Sequence, residues 1–493
     1  MPAIITNKFR LHNASNFVES FSESSPNIYY LAMGRPQAFA TSTGGDSRTQ
    51  YEGTDSSPLT PVDSVADEFY FFDDIIAAKR ITTSDVSRAI PRRNWTTGTT
   101  YDMYRHDYGQ YVKGSTSSTI SANSGASNLN DSSFYVLSSS NHVYKCLSND
   151  GNTASTVEPT GTSTSILTTG DSYKWKYMYS LTASEQTNFL STDFMHVSTD
   201  STVAAAAVDG ALDTILIKTA GSSGTNGTHA SVPIRGDGSS GVCSVTVAGG
   251  AVTAVTVTTA GTGYTFAYVR NADIVTAGAT NLSGSELDVI IPPKGGHGKD
   301  AVEELGGHYA MMNTDFTGDE SSNSGDFTTS NDFRRVGLLL DPKTGGSAAS
   351  ATTLRGTKAV KLSGTPGSFQ VDEEINQATT GAVGKVVEWD STLSLLYFQQ
   401  ERFGDYGTNS TTGDHSVFTG ANLITGGTSS ATLTPTTDSE TITLANNNTL
   451  STTSGYANPE LQPDSGNIVY LENRKPIQRD SDQTEDIKLI IEF

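Results

Sequence analysis

The sequence predicts a mainly β chain with a few helices (α+β). It is expected to be multidomain, with sandwich- or barrel-like modules around a core domain built from both chain ends. Three observations carry this. The composition is one: 35% hydrophobic and 17% charged residues, both low for a globular enzyme, with the balance in Ser, Thr, Asn and 47 Gly. That is the vocabulary of short strands joined by many turns. The end of the chain is another. Ile468–Leu471 and Ile487–Phe493 read as strands, and in the second Ile487, Leu489, Ile491 and Phe493 share one face while Lys488 and Glu492 share the other. A period of two marks a half-buried strand. Ile490 breaks it, so partial cover is expected on the outer face too. Ending on such a strand, the C-terminus is expected to dock into a sheet. The third observation is size. A chain of 493 residues holds about three or four domains, and 20 Tyr with 19 Phe can seed several cores, which argues against wholesale disorder.

The N-terminal elements come first. AIITNKFR (residues 3–10) reads as a short strand, and HNASNFVESF as a short helix turning Phe17 and Phe21 inward. Asn27–Met33 reads as a strand closed by Gly34-Arg35-Pro36, and residues 41–57 as a loop. The clearest helix is expected to start at Thr60, with Pro61 in its first turn and Asp63 completing a capping box. Val62, Val65, Phe69, Phe72 and Ile76 then recur at helical spacing; core packing is the favoured reading of that face, a partner-binding helix the alternative. Ala89–Trp95, AIPRRNW, follows. Pro91 stops a helix, and Trp95 is a large anchor. In an acidic protein, Arg92 and Arg93 could hold a carboxylate of a neighbouring domain or subunit; a solvated loop over Trp95 is the other reading.

Further on, FYVLSSSNHVYKCL (134–147) reads as a hairpin with a polar turn. In Tyr173–Tyr179 aromatic residues alternate with Lys174, Lys176 and Met178. The favoured reading is the aromatic face of a sheet with lysines guarding the solvent side; base or sugar stacking is the alternative. Ala183–Leu190 reads as a short helix. Val242–Val247 and Val252–Thr258 flank Ala248-Gly249-Gly250-Ala251, a hairpin signal in which glycines supply positive φ. GTGYT (261–265) lacks the following helix of a nucleotide fingerprint. Asp300–Leu305 is expected to start a helix, and Asp332–Pro342 reads as a strand stopped by Asp-Pro. Gly384–Trp389 and Leu393–Phe398 form a second hairpin signal. Between the two closing strands, Arg474 offers a planar donor fork and Pro476 fixes the backbone, with Asp482–Glu485 as a polar lead-in.

The expected domains are residues 1–95 with 458–493, a core closed by both termini; 96–200, an inserted β domain; 201–290, a Val/Thr/Gly-rich insertion; 291–345, a return segment to the core; and 346–457, a second β insertion.

Charge and chemistry restrict function. The net charge is −22 and the pI about 4.6, which disfavours nucleic acid as a partner. An acidic surface serves solubility first, and can also match a basic protein partner. Cys146 and Cys243 are expected as free buried thiols. The start, MPAIITNKFR, lacks the apolar core of a signal peptide, and no run is long enough to span a bilayer, so folding in a cytoplasm without membrane insertion is expected. G-x-S-x-G, H-E-x-x-H and Walker strings do not occur. His297, Asp300, Glu303, Glu304 and His308 are the densest set of potential ligands, at spacings that fit no established metal pattern. No catalytic, cofactor or metal residue is assigned.

The strings LENRKPI and DQTEDIKLIIEF at the C-terminus resemble the baseplate wedge subunit of T4-type contractile-tailed phages, the gene-product-eight type. The opening I-x-T-x-K-F-R, AIPRRNW, VYKCL, the Glu158–Thr160 and Gly170–Tyr179 runs and Asp332–Pro342 resemble the same family in the same order. The resemblance implies a non-enzymatic virion protein of the tail baseplate, assembled in the host cytoplasm, a homodimer that contacts other wedge proteins. The chain would then be such a subunit enlarged by two inserted β modules. It also favours an ordered structural or interface role for Arg92, Arg93, Trp95, Arg474 and Pro476. The competing expectation is a carbohydrate-binding tail adhesin of fibre type, supported by the polar insertions and exposed aromatics.

Overall fold

A computed structural model describes the chain apart from residues 1–3, 24–26, 40–41, 44–45, 48–51, 113, 318–330, 365–366, 403–405, 445–447 and 479–483. Strands in several separate sheets dominate, with a few short helices between them, so the mainly β, multidomain expectation holds. The chain divides into two units. One comprises residues 1–18, 87–311 and 490–493, the other 19–86 and 312–489.

The first unit is built on a four-stranded sheet ordered Leu167–Thr168, Lys174–Ser180, His142–Ser148, Tyr135–Leu137. The last two strands form the hairpin read from the sequence, and Asn141 takes a positive φ of 59° in its turn. Aromatic residues fill the core: Tyr173 stacks on Trp175 at 5.4 Å and Tyr101 meets Trp175 edge-on at 5.9 Å. The lysine stripe is a correction. Lys176 is buried rather than guarding a solvent face. Val203, Ala301, Val302 and Leu305 join the same core. Each lysine is supplied with oxygen there: Lys176 donates to the Thr164 carbonyl and Lys174 to that of Asp213.

Residues 212–289 carry a core of their own, with Leu212, Cys243, Val245, Val247, Tyr264 and Ile274 at its centre. Ile215–Ser222 pairs with Ser283–Val289, and Gly227–Pro233, Val242–Ala248 and Ala251–Thr259 form a three-stranded sheet. The expected hairpin turn is present, with Gly249 at φ 61° and Gly250 at φ 82°, values that suit glycine at both central positions.

The chain start departs from expectation. Of the expected strand at residues 3–10, the described residues 4–10 form none; a single helix runs Asn7–Glu19. The Thr6 carbonyl accepts from Phe9 and Arg10 N–H and opens the helix there, leaving Ile4 and Ile5 exposed. Phe17 lies 5.3 Å from the Phe493 ring. Phe21 lies past the helix end, buried against Tyr29 at 4.2 Å.

The second unit centres on a five-stranded antiparallel sheet, ordered Thr353–Arg355, Ile75–Ile81, Tyr29–Gly34, Phe333–Leu340, Asn467–Ile477. Strands from near both chain ends thus flank Phe333–Leu340. The helix expected from Thr60 runs Val65–Asp74, and Ser64 caps it by accepting the Asp67 N–H. Its expected apolar face holds in part: Phe72 and Ile76 are buried, whereas Val62, Val65 and Phe69 are exposed and Phe71 is buried instead. The later start places Val62 outside the helix, and Phe71 lies over Gly337, where a Cβ would collide with its ring.

Residues 358–457 contribute a seven-stranded sheet whose strand Lys358–Ser363 pairs back with Leu395–Gln399, closing it as a small barrel. Val360, Ile375, Val386, Leu396 and Phe398 fill it, and the hairpin of Ala382–Asp390 with Leu395–Gln399 is the one anticipated. The final strand, Thr484–Glu492, buries Ile487 and Leu489 on one face as the alternation requires. Ile490 packs beside Ala89, Phe189 and Met311, the partial cover expected for the outer face. Of the polar lead-in, Asp482 and Gln483 lie outside the described residues.

Candidate functional site

Arg92, Arg93 and Trp95 follow the strand Val86–Pro91. Arg92 donates to Asn94 Oδ1 (3.0 Å) and the Ser191 carbonyl (2.8 Å). Arg93 lies over the Tyr135 ring at 5.2 Å and reaches the Asn130 carbonyl at 3.5 Å. Trp95 packs against the unit's core and donates its indole N–H to Ser155 Oγ (3.1 Å). Ser155 in turn donates to Asp171, which also accepts from Thr169 Oγ1 and from the Thr156 and Val157 N–H groups. Burial works to raise the Asp171 carboxyl, but these donors win and bring it down to about 2. The described partners of both arginines are thus carbonyl and amide oxygens and a ring, within the same unit.

Arg474 and Pro476 lie on Asn467–Ile477, at the edge of the five-stranded sheet. Arg335 pairs with Asn473 and Phe333 with Ile477, so Arg474 and Pro476 fall in a register shift. An edge strand at an irregularity is where proline's missing N–H is tolerated. The Arg474 side chain is 42% exposed and sits 3.5 Å from Glu472.

Beneath these positions are buried charges that sequence reading did not assemble. In the second unit Arg35 pairs with Glu52 (3.1 Å) and Glu401 (2.9 Å), and Arg335 with Glu52 (2.7 Å) and Asp74 (2.6 Å). All five side chains are at most 6% exposed. Glu52 joins the two guanidinium groups, and Gln399 donates to the Asp74 and Ile75 carbonyls. Of the five charged residues, only Arg335 stands within a strand; Asp74 ends a helix and the other three lie outside the strands, and separations of 17 to 366 residues hide the pairing.

In the first unit Lys145 pairs with Glu304, which also accepts from Gly298 N–H at 2.8 Å. Burial pushes the Lys145 ammonium down, against the pull of Glu304. His297 is held well below its ordinary value by burial and then by Lys145 and Lys176. The acids noted at the sequence level have separate uses: Asp300 caps the helix Ala301–Glu304, Glu303 lies 3.3 Å from Lys8, and His308 faces Glu492 at 3.7 Å. Among the described residues no three His, Cys, Asp or Glu side chains group to hold a metal ion. A polar pocket of about 440 Å³ is lined by Arg10, Arg93, Asn130, Asp131, His308 and Glu492. Among the described residues no helix is long and apolar enough to cross a membrane.

Compared with known proteins, the chain matches a family model described as Bacteriophage T4, Gp8, over residues 3–146 and 436–493. No curated protein matches it. The matched segments include Arg92, Arg93, Trp95, Arg474 and Pro476. The unmatched interior holds the separately cored 212–289 module and most of the barrel.

Proposed function

Because the chain belongs to the bacteriophage T4 Gp8 family, a phage baseplate wedge family that both of its ends match, we propose that it is a wedge subunit of a contractile tail that links neighbouring wedge proteins and pairs with a second copy of itself. The observation that carries this is the placement of the match, at the two ends of the chain on either side of an interior that includes the 212–289 module and most of the barrel. The reading is structural and non-enzymatic. It puts the protein in the virion tail after assembly in the host cytoplasm. Arg92, Arg93 and Trp95 fix a loop, and Arg474 with Pro476 shape a sheet edge; preformed surfaces of this kind recognise partners by shape and charge complementarity.

Fractionated virions test the proposal. The chain is expected in the baseplate fraction, cross-linked to other wedge proteins, and the isolated protein is expected at twice its 52.1 kDa chain mass. Recovery only outside baseplates overturns the assignment. A trimer confined to fibres would favour the adhesin reading instead.

A further inference from the structure

The module 212–289 carries an arrangement that the wedge reading does not use. Phe266, Tyr268 and Arg270 alternate with Ala267 and the buried Val269, so the three share the outer face of an extended run. Phe266 is 59% and Tyr268 40% exposed, with ring centroids 5.4 Å apart. Arg235 stands opposite Tyr268 across the short strand pair. One carboxylate, Asp273, holds both guanidinium groups in two-point contacts: Arg235 through Nε and Nη2 at 3.2 and 3.0 Å, Arg270 through the same atoms at 2.9 and 2.9 Å. Asp273 is itself only 9% exposed. Asp273 engages only Nε and Nη2 of each guanidinium, so two cationic groups with further N–H donors stand beside the rings on a chain of net charge −22.

The platform is rigid. Asp237 accepts from Thr265 N–H and Phe266 N–H, each at 3.0 Å, and from the Thr265 hydroxyl. A side chain on Gly236 would strike the Phe266 carbonyl. Exposed aromatics already fixed in place bind at a low cost in conformational entropy.

We propose that this face binds an acidic saccharide. The two rings offer an apolar surface to the faces of sugar rings, and the guanidinium N–H groups not engaged by Asp273 take the saccharide's carboxylate or phosphate. Rings and charge together select a charged sugar over a neutral one. The site is independent of the family-matched segments, so its success or failure is separable from the baseplate assignment.

The full chain is tested on an immobilised panel of uronate-, sialate- and phosphate-bearing oligosaccharides beside their neutral counterparts, with inorganic phosphate and a glutamate-rich peptide in solution as competitors. Expected is binding to acidic members only, weakened by salt, and reduced about tenfold or more by Arg235→Gln with Arg270→Gln and again by Phe266→Ser with Tyr268→Ser. These four side chains lie outside the module's core, and circular dichroism verifies that the variants fold, with a lower melting temperature expected for the arginine pair because Asp273 loses both partners. No binding anywhere on the panel overturns the proposal. So does binding that the ring variants leave intact, which would mark a bare anion site, and so does preference for the peptide, which would mark a protein-docking site.

Discussion

Arg335 and Arg474 are 139 residues apart in sequence, lie on neighbouring strands, and do different work. Arg335 is 5% exposed and spans Asp74 and Glu52, with its Nε on Asn473 at 2.8 Å. Removing one partner of a buried charge cluster leaves the other charges without compensation, at about 3–5 kcal/mol. Arg335→Met is therefore expected to lower the free energy of unfolding by about that amount in denaturant titration. Arg474→Met, at a side chain 42% exposed, is expected to change it by less than about 0.5 kcal/mol. Equal effects of the two substitutions would show that the buried cluster contributes nothing beyond a surface pair. Little of this was legible in the sequence. Arg474 was singled out as a donor fork and Arg35 only as part of a strand-ending triplet, because a sequence shows charge and hides burial.

At the scale of elements, what could be read depended on whether a local pattern had one physical solution. The 248–251 turn and the 390–392 turn are such cases: glycine's access to positive φ, or a polar break between two apolar runs, leaves little besides a hairpin. The lysine stripe of Lys174–Ser180 had two solutions, since alternation says that the faces differ and not that one is wet. The Val65–Asp74 helix failed for a related reason. Its apolar residues surround too much of the circumference, and the contact with Gly337 selects Phe71. Asp171 is the element-scale device that no pattern announced. It gathers N–H and O–H donors from residues 155–157 and 169 and so ties the turn before Lys174–Ser180 to the loop beneath Trp95. Its carboxyl, brought down to about 2 from 3.8, adds stability that is present above the ordinary value and is lost as pH falls through about 2. Asp171→Asn is expected to lower the melting temperature at pH 7, with the gap to the parent closing between pH 4 and pH 2. A gap that stays constant across that range would exclude the carboxylate's charge as its source.

For the whole molecule, the gap in the family match encloses one module that packs on its own. The match stops at residue 146 and resumes at 436, and the interval contains a module with its own apolar core. That module begins and ends on a single antiparallel ladder, where Ile215 pairs with Val289 and Leu216 with Asp288. Residues paired in this way have Cα atoms about 4.5–5.5 Å apart, so a few glycines can close the chain where it is cut. The neighbouring core, with Trp175, Tyr144 and Ile290, keeps almost all of its members, although Leu216 packs against it and a small loss of stability follows. Replacing residues 216–288 by a short glycine linker is thus expected to give a folded chain, with a melting temperature a few degrees lower, that still enters baseplates and no longer retains acidic oligosaccharides. Circular dichroism, virion fractionation and the saccharide panel measure the three outcomes separately. A deletion variant that folds but is absent from baseplates would mean that the insertion belongs to the assembly surface, and that the family-matched segments do not suffice for incorporation.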